Sequence, residues 1–473
     1  MNIISQFNKF LNNFFNKFLE NYFNSANFYS KSSSIDNYIN FMTDLDKFNY
    51  FLITNIIKSY FEYIDECFFN SSYRRNFCYS KGFYSRTILT LFGEITFKRR
   101  YYYDNKFNDK FFFTDMFLNI PKRKYFDPFI CAEICNESAS NSYSKAGNIV
   151  ANKIGNRINN SLYISRASAR NIVLSFNIDN KPKYDNKIVK RLFVMLDEKF
   201  VGSQFNDNKD HMIKSSVIFE GSELEYKSKK KKDSMNRFKL VNPYTCASVN
   251  NTLLDDTIEY IYNTYSVERI EEIVFMGDCA PWIKQFPKSH WFNFTSETNV
   301  KFAMDGYHFS QALKQLTTNK NDDLYDTLYQ YVLFNEKEEF TRLCDEFKEL
   351  NPDRTEIIED KKNYILNNWK ERQLYQSRPD IKCSMESHIS HNLADLFTSR
   401  PKAYSLKGII QLLKLRLLKI NKINIKEKYF NSLRPIITIN EENNNYNYNS
   451  KRYNDALYKD FNCLKTDNYI NFI

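Results

Sequence analysis

Apolar positions recur at helical spacing through the first 70 residues. Ile3, Ile4, Phe7, Phe10, Leu11, Phe14, Phe15, Phe18 and Leu19 lie close to three or four apart, and the run LDKFNYFLITNIIKSYFEYIDECFF continues the pattern. This spacing predicts two or three amphipathic helices. The period then changes. GFYSRTILTLFGEITFKRRYYYD holds two β-rich runs around Phe92-Gly93-Glu94, which predicts a hairpin with glycine at its turn. Helical spacing returns over about 127–175. There SYSKAGNIVANKIGNRINNSLYISRASARNIVLSF reads as a helix-turn-helix, with Ser165 as the N-cap of its second helix.

The polar, proline-containing stretch DNKPKYDNK at 179–187 reads as a linker. Beyond it the pattern becomes α/β. Strands are predicted at 191–197, 212–219 and 238–247, a helix at 255–266, and strands at 272–277 and about 300–304. Three strands, a helix and two further strands is the order of a ribonuclease-H-like domain. Residues 309–378 are helical and densely charged, and read as an insertion. A basic amphipathic helix, LKGIIQLLKLRLLKINKI, and an Asn-rich low-complexity tail follow. The tail is expected to be partly disordered. The predicted fold is thus α/β, a ribonuclease-H-like catalytic domain with a helical insertion, behind a helical and β-hairpin DNA-binding region. The expected boundaries are 1–75 for the N-terminal helices and 76–178 for the hairpin and helix-turn-helix. The catalytic domain takes 188–308 and 379–425, the insertion 309–378 and the tail 426–473.

Two carboxylates stand out against this pattern. Asp197 ends the apolar run Leu192–Leu196, and Asp278 follows Ile273–Gly277. Each alone reads equally as an acidic strand end or cap. Together, on the first and fourth predicted strands, they are placed for metal-assisted phosphoryl transfer. Two Mg²⁺ ions about 4 Å apart activate a nucleophile and relieve charge on the leaving oxygen. Few carboxylates suffice, because water and phosphate complete the octahedron of each ion. Just past the last predicted strand, Asp305 and His308 share a face of a helix start. The pair can hold a metal, orient a water or cap the helix.

Charge adds a partner. Lys and Arg exceed Asp and Glu by 67 to 56, a formal charge of +11, which favours a polyanion such as nucleic acid. Lys98, Arg99 and Arg100 precede three tyrosines on the predicted hairpin, a grip for phosphates and bases or a solvated strand end. Arg166 and Arg170 lie on the second helix of the helix-turn-helix, where the first turn would meet base edges. The run Lys227–Lys232 reads as a solvated loop tip. The nine cysteines form no C-x-x-C pair, and Cys131 and Cys135 share a helix face as small core residues. This fits a reducing cytoplasm and a nucleoid-associated protein that is not secreted. No apolar run reaches the roughly 20 residues of a membrane span.

The pieces RTILTLFGEITFKRRYYYD, LDEKFVGSQ, GDCAPWIK, MDGYHFSQAL, NNWKERQ and ESHISHNLADLFTSRPKAYS occur in order from about residue 80 to 410. In these the chain resembles the ISLre-type bacterial insertion-sequence transposases, relatives of the Mutator-like DDE transposases. The resemblance implies Asp197, Asp278 and Glu386 as a metal-binding acidic triad using Mg²⁺, with Mn²⁺ as substitute. It matches Asp305 and His308 to the family's D-x-x-H element and Trp369 to its tryptophan, which by analogy would stack on a flipped base or pack in the core. His388, two residues past Glu386, is expected to touch DNA, and Arg400 to contact phosphate. The implied partners are double-stranded DNA, at transposon ends and target, and further copies of the chain in a dimer or larger assembly. The sequence departs from the family at Cys279, where a small residue such as glycine is usual, and at Lys402 and Tyr404. The principal rival is a DNA-binding protein descended from such an enzyme and no longer catalytic.

Overall fold

The computed structural model describes residues 34–433 apart from 119, 121, 159–161, 179–183, 205–209, 227–236, 318–321, 379, 382–392, 394 and 398–402, together with residues 9, 12, 13, 15, 16 and 20. The chain divides into two compact units, residues 1–177 with 425–473, and residues 178–424. The Lys227–Lys232 run, nearly all of the N-terminal amphipathic stretch and the Asn-rich tail beyond 433 lie outside the described residues.

The first unit is built on a long helix, α1 (Ser34–Phe69), and a hairpin of β1 (Cys78–Thr90) and β2 (Gly93–Asp104). The short helix α2 (Ser72–Phe77) joins them, and β3 (Asp109–Phe112) pairs with β2. Thr90 faces Gly93 across the turn. Gly93 has φ +114°, and a Cβ there would run into the Tyr50 ring of α1, so helix and hairpin close on each other only through a glycine. Alternation does the rest: Ile88, Ile95 and Phe97 turn inward onto Ile57 and Phe61 of α1. The expected boundary near residue 75 therefore does not separate two cores. The short α3 (Phe113–Phe117) follows β3, then α4 (Pro128–Ser138), α5 (Tyr143–Ile158) and α6 (Arg166–Ser175). Ser165 Oγ accepts from Ser168 N at 3.0 Å, the N-cap read from the sequence. Gly147 admits the Ile164 carbonyl against α5, where a Cβ would come within 2.7 Å of it.

The second unit carries a five-stranded sheet. Its strands are β4 (Arg191–Val201), β5 (His211–Phe219), β8 (Tyr244–Ser248), β9 (Glu272–Gly277) and β10 (Asn299–Met304), in the order β10-β9-β4-β5-β8. The first three pair antiparallel, while β9 runs parallel to β4 and β10 parallel to β9. The strand expected over 238–247 is two strands. Asn242 adopts φ +49° before Pro243, which ends β7 (Arg237–Val241) and starts β8. β7 pairs with β6 (Gly221–Tyr226) in a hairpin of its own. The central strands are apolar nearly throughout because both faces are covered. Leu192, Val194, Leu196, Ile273 and Phe275 pack on one face with Tyr260 and Ile261 of α7 (Leu253–Thr264).

The short helix α8 (Pro281–Gln285) lies between β9 and β10. After β10 the chain is helical: α9 (Gly306–Thr317), α10 (Asp322–Leu333), α11 (Lys337–Glu349), α12 (Thr355–Asn367) and α13 (Trp369–Ser377). These helices share a core of Phe309, Leu313, Leu328, Phe340, Ile358 and Trp369. After a short turn of helix, α14 (Asp395–Phe397), α15 (Leu406–Ile420) packs beside β8, and Asn421 clasps that edge strand. Its side chain accepts from Thr245 N at 2.8 Å and donates to Thr245 O at 2.9 Å, pairing backbone groups that an edge strand otherwise leaves open. The last described helix, α16 (Ile425–Leu433), belongs to the first unit.

Candidate metal centre

Three neighbouring parallel strands carry an aspartate just past their shared ladder: Asp197 lies within β4 where its apolar run stops, and Asp278 and Asp305 directly follow β9 and β10. Met195, Met276 and Ala303 share one rung across β4, β9 and β10. Asp197, Asp278 and Asp305 each lie two residues beyond it. The two-residue period puts Asp197 on the side of the sheet taken by Phe193 and Met195, away from the face packed against α7. Carboxylates are thus delivered together at the C-terminal end of the parallel ladder by register alone.

One ligand atom from each of Asp197, Asp278 and His308 lies within 4.8 Å of the other two. Asp197 is buried; the other two are half-buried. Asp305 stands behind this group. Its Oδ2 meets His308 Nδ1 at 2.7 Å, and its Oδ1 accepts from Tyr307 N at 2.8 Å, capping α9. Of the alternatives read from the sequence, Asp305 takes the cap, and the same side chain bonds His308. Burial works against a charged His308, but the hydrogen bond to Asp305 and the carboxylates of Asp305, Asp197 and Asp278 outweigh it and raise its pKa above 6.5.

The local backbone is shaped to this purpose. Gly277 has no room for a side chain, since a Cβ would lie 2.7 Å from Ile283 Cγ2 and 2.9 Å from the Leu196 carbonyl. Asp278 Oδ1 accepts from Ala280 N at 2.9 Å, closing a tight turn in which Cys279 takes φ +68°, a conformation that favours glycine. That strain sits where the sequence departs from the glycine or similar small residue expected from the resemblance. Burial pushes the Cys279 thiol up to about 12, so it is neutral. The Tyr364 hydroxyl of α12 donates to the Asp278 carbonyl, and Lys284 of α8 reaches Asn368 Oδ1 at 2.7 Å. Trp282 Nε1 donates to Glu198, the residue after Asp197. No spacing signal marked Tyr364 or Glu198 as part of this neighbourhood, because each of these contacts joins residues 84 or 86 apart in the chain.

Two carboxylates and an imidazole are a fitting donor set for a divalent cation. Carboxylates suit Mg²⁺ and Mn²⁺, and an imidazole suits transition ions. A histidine fixed through Nδ1 presents Nε2 in a set orientation, as metal-ligating histidines do. Asp197, Asp278 and His308 would hold the ion, with Asp305 orienting the ring.

The other expected residues are elsewhere. Glu386, His388 and Arg400 lie outside the described residues. Arg99 and Arg100 are not presented as free phosphate contacts. Arg99 is buried, with Nε 2.8 Å from Asp115 Oδ1, and Arg100 pairs with Asp65 and Glu66, each at 2.8 Å. Trp369 is a core residue; it is buried against Phe340, and its Nε1 donates to Asn335 Oδ1 at 2.7 Å. Arg166 and Arg170 are exposed on α6 with Asn171. Among the described residues, no helix is long and apolar enough to cross a membrane.

Several proteins of Caldanaerobacter subterraneus subsp. tengcongensis are similar to this chain. One UPF0236 protein is 31% identical over 249 residues, covering 51% of this chain and 49% of the relative. A second is 31% identical, covering 51% and 47%, and a third 30% identical, covering 51% and 50%. The chain thus matches about half the length of these relatives. The model of UPF0236, described as an uncharacterised protein family, matches residues 41–432, and the chain belongs to that family.

Proposed function

We propose that the chain is a DDE-type DNA transposase, performing metal-dependent cleavage and strand transfer at the Asp197–Asp278–His308 cluster. The carrying observation is that cluster, two carboxylates just past the shared ladder of neighbouring parallel strands converging with a histidine. The strand order β10-β9-β4-β5-β8, antiparallel on one side of β4 and parallel on the other, supports a ribonuclease-H-like reading. The helices from Gly306 to Ser377 stand where the resemblance calls for an insertion. One UPF0236 relative supports it differently. Its name joins eleven loci of a single genome, the pattern that copying of a mobile element leaves.

Asp197 and Asp278 would bind the ion, and His308, steered by Asp305, would complete or border its coordination. In this reading Glu386 supplies the third carboxylate. A bound Mg²⁺ or Mn²⁺ supplies an activated water and offsets charge on the phosphate oxygens. The exposed Arg166, Arg170 and Asn171 on the capped helix α6 suit entry into a major groove. Double-stranded DNA and a second copy of the chain on paired ends are the partners.

The test uses purified full chain and supercoiled plasmid carrying the element's own ends. Wild type is expected to nick and join DNA with Mg²⁺ or Mn²⁺, and Asp197→Ala and Asp278→Ala to lose this by at least about a thousandfold, the scale of removing a central catalytic group. End binding by the variants should persist. Undiminished cleavage by either variant would sink the assignment.

A further inference from the structure

We infer that a basic basin on the β1–β2–β3 sheet of the first unit binds the phosphodiester backbone of nucleic acid, apart from the acidic cluster. The inference rests on the DNA-directed reading above and moves the contact on the hairpin from Arg99 and Arg100, which are internally paired, to Lys110 and Lys122–Lys124, which neither the sequence motifs nor the resemblance picked out.

The basin has a volume of about 520 Å³, room for a phosphate and its sugar neighbours. Its charged lining is Arg86, Arg99, Lys110, Lys122, Arg123 and Lys124 against the carboxylate of Asp115, six basic groups to one acidic. The floor is fixed. Arg86 and Arg99 are both more than nine-tenths buried and converge on Asp115. Arg99 also lies over the Phe112 ring, 3.8 Å from its centre. Two guanidiniums on one carboxylate leave the floor electropositive.

The backbone of the rim is held as well, which separates it from an ordinary solvated charge run. Arg86 Nη2 donates to the Lys124 carbonyl at 3.0 Å. Arg123 takes φ +59°, so the Lys122–Lys124 turn is tight. Its exit is pinned to β1, where Leu89 N donates to Tyr125 O at 2.7 Å and Asp127 N to Leu89 O at 3.0 Å. Tyr125 Oη donates to Glu94 at 2.5 Å. Lys110, Lys122, Arg123 and Lys124 themselves are exposed. A concave surface with buried guanidiniums in its floor and a pinned backbone beneath the exposed rim cations recognises a regular string of phosphates at a lower ordering cost than a flexible tail.

The experiment measures binding of a fluorescent duplex of about 25 base pairs to the full chain by anisotropy, across a salt series. The variant is K122Q/R123Q/K124Q, which leaves Arg86, Arg99, Asp115 and the cluster aspartates in place. The expected result is affinity weaker by about tenfold or more, with the slope of log K against log salt reduced by roughly 0.9 for each phosphate no longer neutralised. Thermal unfolding should be unchanged, and R123G, which suits the left-handed turn, should bind more weakly through one removed charge while keeping the turn. Unaltered affinity and slope in the triple variant overturn the inference. So does a fall in its affinity for phosphatidylserine vesicles with none for DNA, which makes the basin a membrane contact. Metal-dependent nicking by wild type is scored separately: its absence counts against the transposase reading, while an Arg123-dependent salt slope stands by itself.

Discussion

At the scale of single residues, the cluster carries a conflict that points to function. Asp197 and Asp278 bring like charges close together, which costs stability whenever no cation lies between them. Such costs are commonly kept for function. Asp278→Asn should therefore raise the melting temperature in chelator, by up to a few degrees, and abolish the stabilisation that Mn²⁺ gives wild type. A fall in melting temperature in chelator would instead mark Asp278 as a structural cap held by its bond to Ala280. Gly277→Ala makes a second case. The added carbon meets Ile283 and the Leu196 carbonyl, so the unfolding free energy should drop by about 1–3 kcal/mol in urea titration. The two aspartates and the D-x-x-H pair were legible in the sequence because each follows an apolar run. The Leu196 carbonyl that crowds Gly277 was not, because it belongs to a strand remote in sequence.

At the scale of elements, β9 is held at both ends. At its start, Glu272 meets Arg378 at 3.0 Å and Lys301 of β10 at 2.7 Å, while Arg191 of β4 stands 3.6 Å away. The hydrogen bond from Arg378, then that from Lys301, outweighs burial and holds the Glu272 carboxyl below its usual 4.5. The sign follows directly. A carboxylate with a depressed folded pKa stabilises above its unfolded value, and that contribution drains away as pH falls through the folded one. Between about pH 6 and pH 3, Glu272→Gln should flatten the decline of the urea midpoint relative to wild type; an identical decline would show that the ion pairs are screened. Element types were largely legible, and the hairpin, Ser165 cap and parallel strands stand where periodicity put them. The strand over 238–247 was not, because its break depends on Asn242 reaching a left-handed conformation before Pro243, and apolar spacing is blind to that.

At the scale of the whole chain, two units each hold a core of their own. Calorimetry should show two transitions, and Mn²⁺ should raise only the one belonging to residues 178–424, because Asp197, Asp278 and His308 all lie there. A single transition, shifted as a whole by metal, would mean that the units unfold together. Helix α16 joins residues 425–433 to the first unit, so the order of elements along the chain does not reproduce its division into units.

The sequence by itself determined the element types, the two apolar runs and the aspartates that close them, since burial on both faces demands continuous apolar runs and a charge can stand only where the run stops. The tertiary structure decided which groups meet. Parallel register brought Asp197 beside Asp278, and a helix start returned His308 to them with Asp305 behind. Folding also committed Arg99, Arg100 and Trp369 to internal partners, while the turn carrying Lys122, Arg123 and Lys124 was pinned beside a basin. One-dimensional spacing carries the period of a segment. It does not carry the register between strands far apart in sequence, and it does not say whether a cation's partner lies within the chain.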